Sequence, residues 1–246
     1  MKILHCQLQM QAKKQVFSAL HLNDLVFLQG KPLSGKSTVL SFLFSRIDSA
    51  RKIWPIVIRS SHTHLCGSLR QSLVSALGLP DWIVKDSPRT LLSLLREINS
   101  SGISVVLVID DADAFVSGPR SKYPELCEFI LFLRREINYL KFVVTVTNFN
   151  SVGAMARDFQ FSRHCVLELQ CWPIGSEFRQ FVVYVARAYN IERQQVIEED
   201  FLASLHYSAC GATGSVIQTI KVLAMSGVLA KGQVATPRHI SHLWRF

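Results

Sequence analysis

The most constraining stretch of this sequence is Gly30-Lys31-Pro32-Leu33-Ser34-Gly35-Lys36-Ser37-Thr38, which fits the pattern GxxxxGK[ST]. The spacing has a chemical reason. Glycines let the backbone curl until its N–H groups converge on phosphate oxygens, the lysine reaches the terminal phosphates, and the serine hydroxyl binds Mg²⁺. Context raises the match above chance. An apolar run, Asp24 to Gln29, leads in as a buried strand, and an amphipathic helix through Val39, Leu40, Phe42, Leu43 and Ile47 leads out. That helix adds its positive N-terminal end. The motif predicts ATP with Mg²⁺, held by Gly30, Pro32, Ser34, Gly35, Lys36, Ser37 and Thr38, with Ser37 as a metal ligand.

Further runs of the same kind follow. Trp54 to Arg59, Val105 to Ile109, Phe142 to Asn148 and Cys165 to Leu169 read as strands two to five. Between them lie helical patterns: Leu65, Leu69, Leu73 and Leu77 at four-residue spacing, then Pro88 to Asn99, then Glu125 to Leu140. Such alternation predicts an α/β fold, a mostly parallel five-stranded sheet covered on both faces. After Pro173 the strand signal stops. Helical patterns run over Ser176 to Tyr189, Glu198 to Ser208 and Thr213 to Ala230, and a short helix starts at Thr236-Pro237. The division falls between residues 174 and 175. It separates an α/β core over 1–174, with a helical segment over 1–23, from a small helical domain over 175–246.

The third strand ends in Asp110-Asp111. Acids there sit at the carboxyl edge of the sheet, where ligands bind in open α/β folds. Asp110 is expected to hold Mg²⁺ through water, making it the second metal residue and a cofactor contact. Asp111 stands where many ATPases place a glutamate that orients the attacking water. Being one methylene shorter, it predicts slow hydrolysis. The pair would also fit an ordinary strand end with solvated acids. Asn148, at the end of strand four, is positioned to contact the γ-phosphate or the attacking water, or simply to start a loop.

Composition narrows the class. Of 246 residues, 49% are hydrophobic and 18% charged, so the chain can bury a large core and is not disordered. No apolar run reaches the roughly 18 residues a spanning helix needs, and Gln7, Gln9, Gln11 and Lys13 interrupt any signal-peptide pattern. The expectation is a soluble, cytoplasmic protein without a membrane partner. None of the cysteines (6, 66, 127, 165, 171 and 210) forms a CxxC pair, which predicts reduced thiols. The net charge of +9 favours a polyanion, nucleic acid first and an acidic membrane surface second. No acid falls between Asp48 and Asp81 or after Asp200, while Arg51, Lys52, Arg59, Arg70, Lys221, Lys231, Arg238 and Arg245 do.

The order of these features resembles the AAA+ ATPases: a phosphate loop, a DD pair, a polar end to strand four, an arginine before strand five and a helical tail acting as lid. Within them, Arg157-Asp158-Phe159-Gln160-Phe161-Ser162-Arg163-His164 resembles the RDxQxxxRF segment of the transposition regulators TnsC and TniB, relatives of MuB. Leu126 to Leu140 followed by Phe142-Val143-Val144 is similar to their preceding helix and strand, and Gly211 to Ile217 to their lid turn. The resemblance implies that Arg163 is an arginine finger acting on the nucleotide of a neighbouring subunit, with Arg157 as a second candidate. This sequence departs from the family at Asp111, His164 and Ser215, the last standing for a lid arginine with Lys221 two turns on. The family's DNA path corresponds here to Arg59, His62, Thr63 and His64 and to Lys85 and Arg89, whose cations and short polar groups suit phosphate contacts without sequence readout.

The function implied is an ATP-dependent, sequence-nonspecific DNA-binding regulator of transposition. It would assemble on duplex DNA as a ring or helical filament and recruit a transposase, with a TniQ-like targeting protein as partner. A secretion-associated ATPase of the GspA/ExeA type is the nearest alternative; those are expected to continue into a membrane helix, and the expectation here is that none follows Phe246. A small-molecule P-loop kinase fits the helical tail and the arginine before strand five poorly. A nucleotide-binding scaffold without useful hydrolysis is the blandest option.

Overall fold

The computed structural model describes residues 7–44, 52–60, 68–80, 88–117, 122–226 and 233–243. Five strands form one parallel sheet: β1 (Leu25–Gln29), β2 (Ile53–Arg59), β3 (Ser104–Asp110), β4 (Lys141–Val146) and β5 (His164–Glu168), in the order β2-β3-β4-β1-β5. Apolar content follows position. The three inner strands are almost wholly buried, whereas the edge strand β5 is exposed or half-buried throughout. The inner strands therefore read as continuous Val/Ile/Leu/Phe runs, as sheets covered on both faces require. Phe27 and Phe142, both fully buried, each contribute about 1.5–3 kcal/mol by leaving water.

Two compact units are present. The α/β unit comprises Gln11–Gly30 and Lys36–Glu168. Beside the sheet it holds most of α1 (Gln7–Leu22) and α2 (Lys36–Phe44), α3 (Leu69–Ala76), α4 (Pro88–Ser100), α5 (Asp113–Val116), α6 (Tyr123–Glu136) and α7 (Phe149–Asp158). Helix α6 stops four residues short of the expected Leu140: its C-cap Ile137 turns extended at φ −126°, ψ 107°, and Tyr139 at a left-handed φ of 66° lies in the turn before β4. Helix α7 is an element the apolar pattern does not announce. It starts because the Asn148 side chain accepts from the Asn150 N–H as an N-cap.

The second unit is Leu169–Phe246 together with residues up to Met10 and the short arc Lys31–Gly35. Its helices are α8 (Ser176–Ala188), α9 (Glu199–Ala209), α10 (Thr213–Met225) and α11 (Pro237–Leu243). Helix α10 ends at Met225; the expected continuation over 227–230 lies outside the described residues. Trp172 stacks on Phe181 at 4.7 Å, and Phe178, Phe201 and Val216 close the core around them. Among the described residues no helix is long and apolar enough to cross a membrane.

Candidate nucleotide site

Strand order locates a crevice. Strand β1 lies between β4 and β5, while the chain leaves it for β2 at the far edge. Connections diverging in this way open a gap at the carboxyl end of β1, the usual ligand position in open α/β sheets. The phosphate motif begins there. Gly30 is anchored by its N–H to the Val146 carbonyl at 3.1 Å. The arc then turns through a Ser34 N–H to Lys31 carbonyl bond of 3.1 Å, with Leu33 at φ 59° and Gly35 at φ 100°. Lys36 opens α2, with Ser37 exposed and Thr38 half-buried in its first turn.

The Lys36 ammonium donates to the Gly30 carbonyl at 2.7 Å and to the Thr147 hydroxyl at 3.1 Å. Burial pushes its pKa down, and Asp111, Asp113 and Asp110 push it back up. The lysine is thus aimed across the loop mouth and held among carboxylates, a cation positioned for an anionic ligand.

The Ser37 hydroxyl lies 3.4 Å from Asp110 Oδ1. Asp110 is buried and takes a firmer bond from the Thr145 hydroxyl at 2.8 Å. Thr145 in turn accepts from the Asp111 N–H at 2.7 Å. One hydroxyl and one carboxylate oxygen on adjacent positions suit Mg²⁺, a hard cation that takes one or two protein oxygens and fills its octahedron with water and phosphate. No cluster of three or more acidic, histidine or cysteine side chains capable of holding a metal on its own occurs among the described residues.

Asp111 stands at φ 62° at the exposed end of β3. Burial raises its pKa first, then the like charges of Asp110 and Asp113, against the Lys36 cation. The sequence reading passed over Asp113, two residues on. Its Oδ2 accepts from the backbone N–H of Thr147 and, at 3.3 Å, of Asn148; its Oδ1 accepts from the Ser151 hydroxyl at 2.8 Å. It pins the end of β4 to the end of β3. Asn148, expected at the phosphates, spends its side-chain oxygen on the α7 cap, and Thr147 is the β4-end residue that meets Lys36. The missed signal was the alternation Val143, Thr145, Thr147: one face of β4 turns polar as it reaches its carboxyl end.

Arg163 lies at the opposite edge of the sheet, one residue before β5, beside Asp24 at the start of β1. Its guanidinium makes a two-pronged pair with the Asp24 carboxylate, Nε to Oδ2 at 3.1 Å and Nη2 to Oδ1 at 3.0 Å. A five-residue strand separates it from its own phosphate loop, about 16 Å at the usual rise. Asp158 accepts from the Tyr123 hydroxyl at 2.6 Å, and Arg157 is exposed in the last turn of α7. In the helical unit Ser215 sits in the first turn of α10, its carbonyl accepting from Thr219, and Lys221 is exposed on the same helix.

Of the expected DNA contacts, Arg59 is exposed at the carboxyl end of β2, in register with Asp110, and Arg89 is exposed in the first turn of α4. His62, Thr63, His64 and Lys85 lie outside the described residues.

No protein-family model matches the chain, and no curated protein is similar to it in sequence. Solved structures are. A Walker-type ATPase of Pyrococcus abyssi superposes with a TM-score of 0.64 at 14% identity, over 89% of this chain and 68% of that one. The ORC2 protein of Aeropyrum pernix, in its ADPNP–ADP complexes, gives 0.56 at 14% over 96% and 65%. A chain of Drosophila ORC bound to GC-rich DNA and Cdc6 gives 0.55 at 14% over 89% and 38%. The chain thus spans less than two thirds of the latter two. The likeness, the all-parallel strand order and the helical C-terminal part together identify the fold of this chain as that of the P-loop AAA+ ATPases.

Proposed function

We propose that this protein is an ATPase that binds Mg²⁺–ATP at the crevice beyond β1 and uses it to assemble on duplex DNA. The observation that carries the reading is the Lys36 ammonium held between the Gly30 carbonyl and Thr147, with Ser37 and Asp110 adjacent. In this arrangement the loop binds the phosphates and Lys36 neutralises the β- and γ-oxygens, while Ser37 and Asp110 would hold Mg²⁺, which would supply further positive charge at the phosphates. Asp111 orients the attacking water, and Thr147 takes over at the γ-phosphate the place expected for Asn148. Arg163 is directed at a neighbouring copy, since it stands a full strand length from its own loop. For function we place the division at residues 174/175, close to the break between the compact units after Glu168, with the helical part acting as the lid domain.

The finer reading is a regulator of DNA transposition in the cytoplasm, resembling TnsC and TniB, that recruits a transposase and a TniQ-like partner. Its support is the arginine-bearing segment before β5, the net charge of +9 and the exposed cations Arg59 and Arg89. DNA is bound by the structural neighbour from Drosophila, and an ATP analogue by that from Aeropyrum. The test is direct. With a non-hydrolysable ATP analogue and duplex DNA, electron microscopy is expected to reveal rings or helical filaments, and Lys36→Ala to abolish them together with ATP binding. Wild-type protein that holds no ATP, or holds it and stays monomeric on DNA, refutes the reading.

A further inference from the structure

Gln9 is completely buried behind the arc of the phosphate loop. Its Nε2 donates to the Ser34 carbonyl at 3.2 Å and to the Thr213 hydroxyl at 2.8 Å. The Trp172 indole N–H donates to the same hydroxyl at 3.1 Å, and the Gly214 N–H donates to the Leu33 carbonyl at 2.6 Å. Two successive carbonyls of the arc are therefore held by N–H groups from outside the motif. In a trans peptide the carbonyl of one residue and the N–H of the next point in opposite directions. With the Ser34 carbonyl turned onto Gln9, the Gly35 N–H is directed to the other face of the arc, where converging N–H groups bind phosphate. The fit is close: a Cβ on Gly35 would stand 2.8 Å from Gln9 Nε2.

The burial of the amide is compensated on one side only. Gln9 Oε1 and Ser34 Oγ are both buried without a partner. The amide is thus kept although one of its two polar atoms is buried unpaired, a cost to stability that the bonds to Ser34 and Thr213 offset only in part. A left-handed backbone such as that of Leu33 persists only where the surroundings enforce it, and such positions cluster at ligand clamps.

We propose that Gln9 is a positioning residue of the phosphate loop. Through the Ser34 carbonyl it sets the direction of the Gly35 N–H, and through Thr213 it ties the arc to the first turn of α10, so that nucleotide affinity depends on residues far from the motif in sequence. This rests on the nucleotide reading above.

The experiment measures displacement of a fluorescent ATP analogue by ATP and ADP, and the melting temperature with and without saturating ATP. It compares the wild-type full chain with Gln9→Leu, Thr213→Val and Thr213→Ser. Gln9→Leu is expected to weaken both nucleotides about five- to tenfold, the effect of one lost orienting hydrogen bond. Whatever its ligand-free melting temperature, the rise induced by ATP is expected to shrink. Thr213→Val follows in the same direction, and Thr213→Ser, which keeps the hydroxyl, binds as wild type. Gln9→Leu and Thr213→Val affinities within twofold of wild type overturn the proposal. So does a lower ligand-free melting temperature with an undiminished ATP-induced rise, which marks a packing role. Wild-type protein that binds no ATP would instead fail the nucleotide reading, on which this one depends.

Discussion

The two edges of the sheet carry the same chemical ingredients and treat them in opposite ways. At the carboxyl edge Lys36 faces three carboxylates, is itself buried, and donates to the Gly30 carbonyl just past β1 and to the Thr147 hydroxyl just past β4. At the amino edge Arg163 faces the single carboxylate of Asp24, with 68% of its side chain in water. A buried cluster of charges loses several kcal/mol per ion in desolvation and persists only where geometry or a ligand compensates. An exposed pair is worth about 0–1 kcal/mol and exchanges partners easily. Under the proposed function, the difference separates a preorganised site for the nucleotide from an arginine that would leave its intrachain partner for a phosphate on another copy.

The sharpest way to break this comparison is Arg163→Ala. ATP affinity of the isolated subunit should stay within about twofold of wild type, while turnover by the DNA-bound assembly should fall on the order of 10³-fold, as when other arginine fingers are removed. Equal turnover in wild type and variant, measured by phosphate release with saturating DNA, would reduce the amino edge to an ordinary surface pair.

Next in size is Asp113→Asn. The carboxylate accepts from two backbone N–H groups and one hydroxyl. An amide keeps one oxygen and turns an N–H₂ toward donors, so the end of β4, and with it Thr147, loses its support. Turnover should drop about tenfold, the value of one hydrogen bond to a charged group. If single-turnover rates do not change, the link between β3 and β4 has no part in the site.

A smaller effect tests the crowding of carboxylates. Asp111 titrates above the ordinary carboxylate range because burial, then Asp110 and Asp113, disfavour its charge. A carboxyl whose folded pKa exceeds its unfolded value binds its proton more tightly in the fold. Stability therefore falls as pH rises from about 4, the unfolded value, through the folded one. Asp111→Asn should melt higher than wild type at pH 7, and the gain should vanish as pH approaches about 4. A variant that melts at or below wild type across this range would show that the carboxyl edge stores no like-charge repulsion.

Legibility in the sequence followed locality. The strand–turn–helix around Gly30 to Ser37 could be read because it is one contiguous stretch, and the inner strands because burial on both faces demands unbroken apolar runs. What escaped was set by register. Sequence placed the polar end of strand four at Asn148; the strand ends at Val146, and Thr147, continuing the alternation of Val143 and Thr145, is the residue that meets Lys36. Helix α7 escaped because its start depends on Asn148 and on Asp113, 35 residues earlier. Asp24 meets Arg163 across 139 residues, and Gln9 meets Thr213 across 204; neither pairing leaves a local trace.

The smallest expected effect belongs to Asp24. It is flanked by two cations: Arg163, which it binds, and Lys141, whose ammonium donates to the Leu20 carbonyl. Burial lowers the Lys141 pKa; Asp24 opposes that shift and Arg163 adds to it. Asp24→Asn removes the shared anion and leaves two cations side by side. The loss of stability should be about 1 kcal/mol or less, a fall of roughly 2–4 °C in Tm for a chain of this size. It should shrink in 1 M salt, where the screening length is about 3 Å. Turnover in the DNA-bound assembly should hold or rise, because the arginine no longer has to leave a competing carboxylate. A fall in turnover parallel to that of Arg163→Ala would instead make Asp24 the group that aims the arginine, and the amino edge would then be as preorganised as the carboxyl edge.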